Sequence, residues 1–149
     1  MKKYNIIIGI DPGTKTGVAI FKPLFKSFNY INTLKIHEAI VLIADFVEDH
    51  PHAKIIVRIE DARTWKPFSK NRRESDAKKM GAGSIRRDCA IWEDFLADIK
   101  KEFPNVDYEF VNLQSNVKKL SADTFKRITG YEGKTTEHSR DAGILAFRK

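Results

Sequence analysis

The run I-I-I-G-I-D-P-G-T-K-T-G-V-A-I, from Ile6 to Ile20, constrains this chain most, because an unbroken apolar stretch stops abruptly at Asp11. A half-exposed strand would alternate apolar and polar residues. Ile6 to Ile10 does not, so it fits a central strand covered on both faces. The Asp11-Pro12-Gly13 turn and the permissive Gly17 lead into a second short strand, Val18 to Phe21, which can pair back as a hairpin. A carboxylate at the end of a buried strand is a poor core residue. It requires a counter-charge, most simply a metal ion.

The rest of the chain follows in a recognisable order. Phe25 to Leu34 alternates loosely and reads as a third strand, so three antiparallel strands come first. From Ile36 to Glu48 the apolar positions Ile36, Ala39, Ile40, Ile43, Ala44 and Val47 keep a helical period, and the helix ends near His50-Pro51. Lys54 to Glu60 is a β-branched strand. Residues 62–80 show no periodicity and read as a long, mobile basic loop. Ser84 is placed to cap the next helix, with Gly81 and Gly83 opening its entry. Its stripe of Ile85, Cys89, Trp92, Leu96 and Ile99 reads as core, and it stops before Pro104. Val106 to Leu113 is a strand, Thr124 to Ile128 a short helix, and the segment beginning T-E-H-S-R-D a terminal helix. This order predicts one α/β domain over residues 1–149. Its five-stranded mixed sheet has three antiparallel strands and then two strand-helix units, flanked by helices.

In such a sheet the ends of the first and fourth strands can be neighbours, which brings Asp11 towards Glu60. Asp61 is adjacent to Glu60 but faces the other side of the sheet, so it ranks second as a ligand. His138 and Asp141, three residues apart, share one helical face. Asp11, Glu60, His138 and Asp141 are therefore expected to converge on one metal-binding cleft. Plainer roles compete with this one: a turn-forming Asp11, a Glu60 paired with Arg58 or Arg63, an Asp141 favoured by the helix dipole, and an exposed first-turn His138. His37, His50 and His52 read as surface residues.

A net charge of +7 with 32% charged residues favours a polyanionic partner. Arg63, Lys66, Lys70, Arg72 and Arg73 lie in a stretch without acids that also holds Trp65 and Phe68. Such a stretch can neutralise phosphates and stack on exposed bases. Lys118 and Lys119, between the last strand and the final helix, are further candidates for phosphate contact. The one cysteine, Cys89, rules out an intramolecular disulfide and reads as core. With no secretion signal and no apolar stretch of membrane-spanning length, a cytoplasmic protein is expected, without a membrane partner or an organic cofactor.

The residues G-I-D-P-G-T-K-T-G-V-A-I, I-E at 59 to 60 and H-S-R-D-A at 138 to 142 resemble, in order, the motifs of RuvC-type Holliday junction resolvases, a branch of the ribonuclease H-like nucleases. Phage-encoded RuvC-like resolvases are the most similar in look, particularly around F-K-R-I-T-G-Y-E-G-K-T-T-E-H-S-R-D-A. The resemblance implies a ribonuclease H-like fold and a homodimeric crossover junction endodeoxyribonuclease acting in DNA recombination and repair. Such an enzyme nicks branched DNA symmetrically with two Mg²⁺ ions, for which Mn²⁺ can substitute. If the chain is phage-encoded, the compartment is the host cytoplasm. It further implies that Asp11 bridges the metals and that Glu60 and Asp141 are ligands. His138, where many members carry Asp, is either a ligand or a base for the attacking water. The aromatic that many relatives place three residues after the glutamate is replaced here by Arg63, with Trp65 the nearest candidate. Three rivals remain: an RNA-processing or RNA–DNA hybrid nuclease of the same fold, a catalytically inactive junction-binding module, and half of an actin- or kinase-like ATPase.

Overall fold

The computed structural model describes residues 3–64 and 76–148. Its elements are β1 (Ile6–Asp11), β2 (Lys15–Lys22), β3 (Ser27–Lys35), α1 (Ile36–Glu48), β4 (Ile55–Glu60), α2 (Asp76–Glu102), β5 (Val106–Val111), α3 (Ala122–Thr129) and α4 (Glu137–Phe147). The strands form one sheet in the order β3-β2-β1-β4-β5. β1, β2 and β3 pair antiparallel, whereas β4 runs parallel to β1 and β5 parallel to β4. The mixed sheet expected from the element order is therefore present, with the apolar β1 at its centre.

Strand parity decides what each face carries. Ile6, Ile8 and Ile10 of β1, with Ile55, Val57 and Ile59 of β4, join Ile43 and Val47 of α1 and Trp92 and Leu96 of α2 in the larger core. The alternate residues of β1 and β2, Ile7, Ala19 and Phe21, pack with Ala142 and Ala146 of α4. Asp11 and Glu60 share the parity of that second face, so both carboxylates point towards α4.

α4 lies unusually close to the sheet. A Cβ built on Gly9 would collide with the carbonyl oxygen of Ala142, and one on Gly17 with that of His138. Both obstacles are backbone, so no rotamer change could relieve them, and only glycine permits this approach. The other end of the helix is held by Arg58 of β4. Its guanidinium pairs with Glu109 at 2.9 Å and donates to the carbonyl oxygens of Leu145 and Arg148.

Several boundaries shift by a few residues, β2 widening to Lys15–Lys22 and β5 ending at Val111 rather than Leu113, and two others differ for identifiable reasons. β3 starts at Ser27 rather than Phe25, because Pro23–Phe25 form a single 3-10 turn closed by Lys26 in the left-handed region (φ 50°). That turn leaves Phe25 69% exposed. Ser84 caps nothing: α2 starts at Asp76 and runs through Gly81 and Gly83, so residues 76–80 are helix rather than loop. Each interior glycine costs about 1 kcal/mol relative to alanine. The buried stripe of Cys89, Trp92, Leu96 and Ile99 outweighs that cost by docking the helix on the sheet. Four of the five residues of the expected stripe are core, as read from their spacing, whereas Ile85 is half-buried and borders the cleft beside Asp11 and Glu60. No helix among the described residues is long and apolar enough to cross a membrane.

Candidate metal centre

Asp11, Glu60 and Asp141 each offer a carboxylate oxygen, and the three oxygens lie within 4.8 Å of one another. The residues are only 8%, 6% and 7% exposed. β1 and β4 run parallel and in register at Ile10 and Ile59, so the next residue of each strand delivers its carboxylate to the same sheet end. α4 supplies the third. Its start is fixed by Thr136, whose Oγ1 accepts from the Ser139 N–H at 3.2 Å while Ser139 Oγ accepts from the Thr136 N–H at 2.8 Å. Such reciprocal caps set the helix entry. Thr136 therefore determines that His138 and Asp141 fall on the face turned to the sheet.

Three acids this close are electrostatically opposed. Burial, reinforced by the negative charges of Glu60 and Asp141, pushes the Asp11 carboxyl up to about 9. Burial likewise raises Asp141, aided by the charges of Glu60 and Glu137 and opposed by a hydrogen bond from the Lys119 N–H. A cluster that holds protons this firmly would release them to a multivalent cation. Its donors are all hard carboxylate oxygens, the set preferred by small divalent ions.

His138 sits at the rim rather than among the three acids. Its Nδ1 lies 2.9 Å from Asp11 Oδ2, and its side chain is 46% exposed. Lys118 forms an ion pair with Glu60. Lys119 approaches differently from expectation: it occupies the left-handed region (φ 53°), and its backbone N–H donates to Asp141 Oδ1 at 2.9 Å. Arg140 steadies this segment, its Nε donating to the Leu120 carbonyl at 2.6 Å and its Nη1 to Thr135 Oγ1 at 2.9 Å.

Asp61 is not one of the three converging acids. It binds Arg63 at 3.0 Å, which lowers its pKa. The Arg63 guanidinium also pairs with Glu93 and lies 4.6 Å above the Phe110 ring. As placed, Arg63 braces α2 against the sheet instead of facing the cleft. Trp65, Lys66, Phe68, Lys70, Arg72 and Arg73 lie outside the described residues.

The acids open into a cleft of about 780 Å³, also lined by Thr14, Lys15, Asn112 and Glu137. Sequence reasoning missed these four. Asn112 had a signal, a polar residue just past an apolar strand, but Lys15 and Glu137 are ordinary surface residues until the fold brings them to the site.

No family model matches the chain, and no curated protein matches it by sequence. Among solved structures it is similar to T. thermophilus RuvC, determined in complex with a Holliday junction substrate. The likeness has 15% sequence identity and a TM-score of 0.60, and covers 95% of this chain and 90% of that one. The chain thus has the RuvC-type, ribonuclease H-like fold.

Proposed function

We propose that the chain is a metal-dependent, structure-specific DNA endonuclease that resolves four-way junctions and related branched DNA by paired phosphodiester hydrolysis. The carrying observation is the convergence of Asp11, Glu60 and Asp141 at one sheet end, in a fold shared with a protein solved on such a junction. In this reading the chain is a crossover junction endodeoxyribonuclease, akin to phage-encoded resolvases and active in the cytoplasm. A two-fold homodimer would supply two sites for the two incisions.

The proposed cofactor is a pair of Mg²⁺ ions, with Mn²⁺ as a substitute, held by Asp11, Glu60 and Asp141. When bound, such ions supply Lewis-acid activation and charge compensation at a phosphate. The chain's own residues do the rest. His138 holds Asp11 through Nδ1, which leaves Nε2 to take a proton from the attacking water. Lys118, exchanging Glu60 for a phosphoryl oxygen, offsets charge there. Lys119 Nζ and the basic residues 66–73 are proposed to contact the DNA backbone, with Trp65 stacking on an unpaired base. Arg63 joins them only if it leaves Asp61 and Glu93.

The test is cleavage of a four-way junction, a linear duplex and an RNA–DNA hybrid, with Mg²⁺ and with Mn²⁺, by wild type and Asp11→Asn. Metal-dependent cutting of the junction in preference to both others, abolished in Asp11→Asn, is expected. Preference for the hybrid would move the proposal to an RNA-directed nuclease. Junction binding without any cleavage would leave a binding module.

A further inference from the structure

A second cavity, of about 630 Å³, opens between α4 and the β2–β3 turn. It lies at the end of the strands opposite the acids: Ile7 and Phe21 pair there, whereas Asp11 pairs with Gly17 at the other end. Phe21, Val117, Ile144 and Phe147 make an apolar wall, and the two charged residues lining it, Lys26 and Arg148, are both cationic. Neither side chain has an ion-pair partner among the described residues. The apolar surface continues past the mouth. Leu24 and Phe25, between the lining residues Pro23 and Lys26, are 81% and 69% exposed, and Ile128 on the far wall is 44% exposed. A lone exposed leucine is ordinary, but three large side chains around an open apolar cavity form a contact surface. Lys26 also stands in a left-handed conformation that glycine or asparagine would adopt with less strain.

We propose that this cavity docks an acidic peptide segment of a partner protein, with one large apolar side chain in the cavity and flanking carboxylates on Lys26 and Arg148. Charge complementarity selects the occupant. The rim calls for anions and the wall for an apolar group, a pairing that an acidic segment with one aromatic or aliphatic anchor supplies. A second copy docked through this same face is disfavoured, because a two-fold contact would bring its Lys26 and Arg148 against their own like charges. A single acyl chain would fill the cavity but leave Leu24 and Phe25 in water.

The probe is a short fluorescein-labelled peptide of Asp, Glu and Ser with one central Phe, titrated onto the whole protein and read by fluorescence anisotropy. Micromolar binding is expected. It should weaken by about tenfold or more when the peptide's Phe is replaced by Ser, the size of one lost apolar anchor. Lys26→Glu and Ile128→Asp should each weaken binding; the melting curve should be unchanged in Lys26→Glu, whose side chain is exposed, and only slightly lowered in Ile128→Asp, where the isoleucine is 44% exposed. Equal binding of the Ser peptide would reduce the contact to charge alone and overturn the proposal. So would decanoate binding with no peptide binding, or self-association by sedimentation that Ile128→Asp abolishes. None of these readouts depends on nuclease activity.

Discussion

Removing the Asp11 carboxyl should change how the metal-free protein responds to pH. The group has an ordinary value of 3.8 and is raised to about 9 in the fold, by burial first and then by Glu60 and Asp141. Between those limits the folded state carries a proton that the unfolded chain has lost. Stability therefore falls as pH rises: the contribution is complete below about 3.8, shrinks across the window, and is gone above about 9. One proton of difference costs about 1.4 kcal/mol per pH unit. From pH 5 to pH 7 the loss is about 3 kcal/mol, or roughly 6–12 °C in melting temperature for a chain of this size. The assay is thermal unfolding after EDTA treatment, for wild type and Asp11→Asn, across that range. The asparagine keeps the side chain's shape and cannot titrate, so its profile should be flatter by about one proton. Millimolar Mg²⁺ or Mn²⁺ should then raise the wild-type melting temperature more at pH 7 than at pH 5, because the cation competes with that proton. Equal slopes in the two proteins, or an equal rise with Mn²⁺ in Asp11→Asn, would refute the reasoning.

Gly17→Ala should destabilise by about 1–3 kcal/mol and blunt the metal-induced rise, because its Cβ meets the His138 backbone and lifts the start of α4 away from β2. Gly83→Ala, with open space around its Cβ within α2, should instead stabilise by roughly 0.5–1 kcal/mol; urea titration of both variants checks the contrast. Trp92→Ala, which empties a fully buried position between α2 and the sheet, should cost about 3–5 kcal/mol in the same titration. Under the proposed function, Lys118→Met should lower junction cleavage by about 10²-fold with junction binding retained, and unchanged single-turnover rates would count against its role.

Much of the fold was legible because its cues are local. The run Ile6 to Ile10 marks a strand covered on both sides, and the element order makes the ends of the first and fourth strands neighbours, which brings Asp11 towards Glu60; that both point to one face depends on the register of Ile10 with Ile59. The α4 entry was equally readable from Thr136 to Asp141. What escaped depends on long-range packing. Ser84 and the glycines before it resemble a helix start, and only the docked stripe from Cys89 to Ile99 makes them helix interior. Lys119 acts through a left-handed backbone that a lysine does not advertise, and Arg63 is held by Glu93, thirty residues away on α2. The ion pair of Lys118 with Glu60 likewise joins segments that no local pattern connects.

The three acids come from chain segments made at very different times. On the ribosome Asp11 and Glu60 emerge long before Asp141, and α4 settles onto Gly9 of β1 and Gly17 of β2, strands made long before it. A nascent chain that ends before α4 therefore presents two of the three carboxylates, and the candidate cation site is completed only when α4 docks.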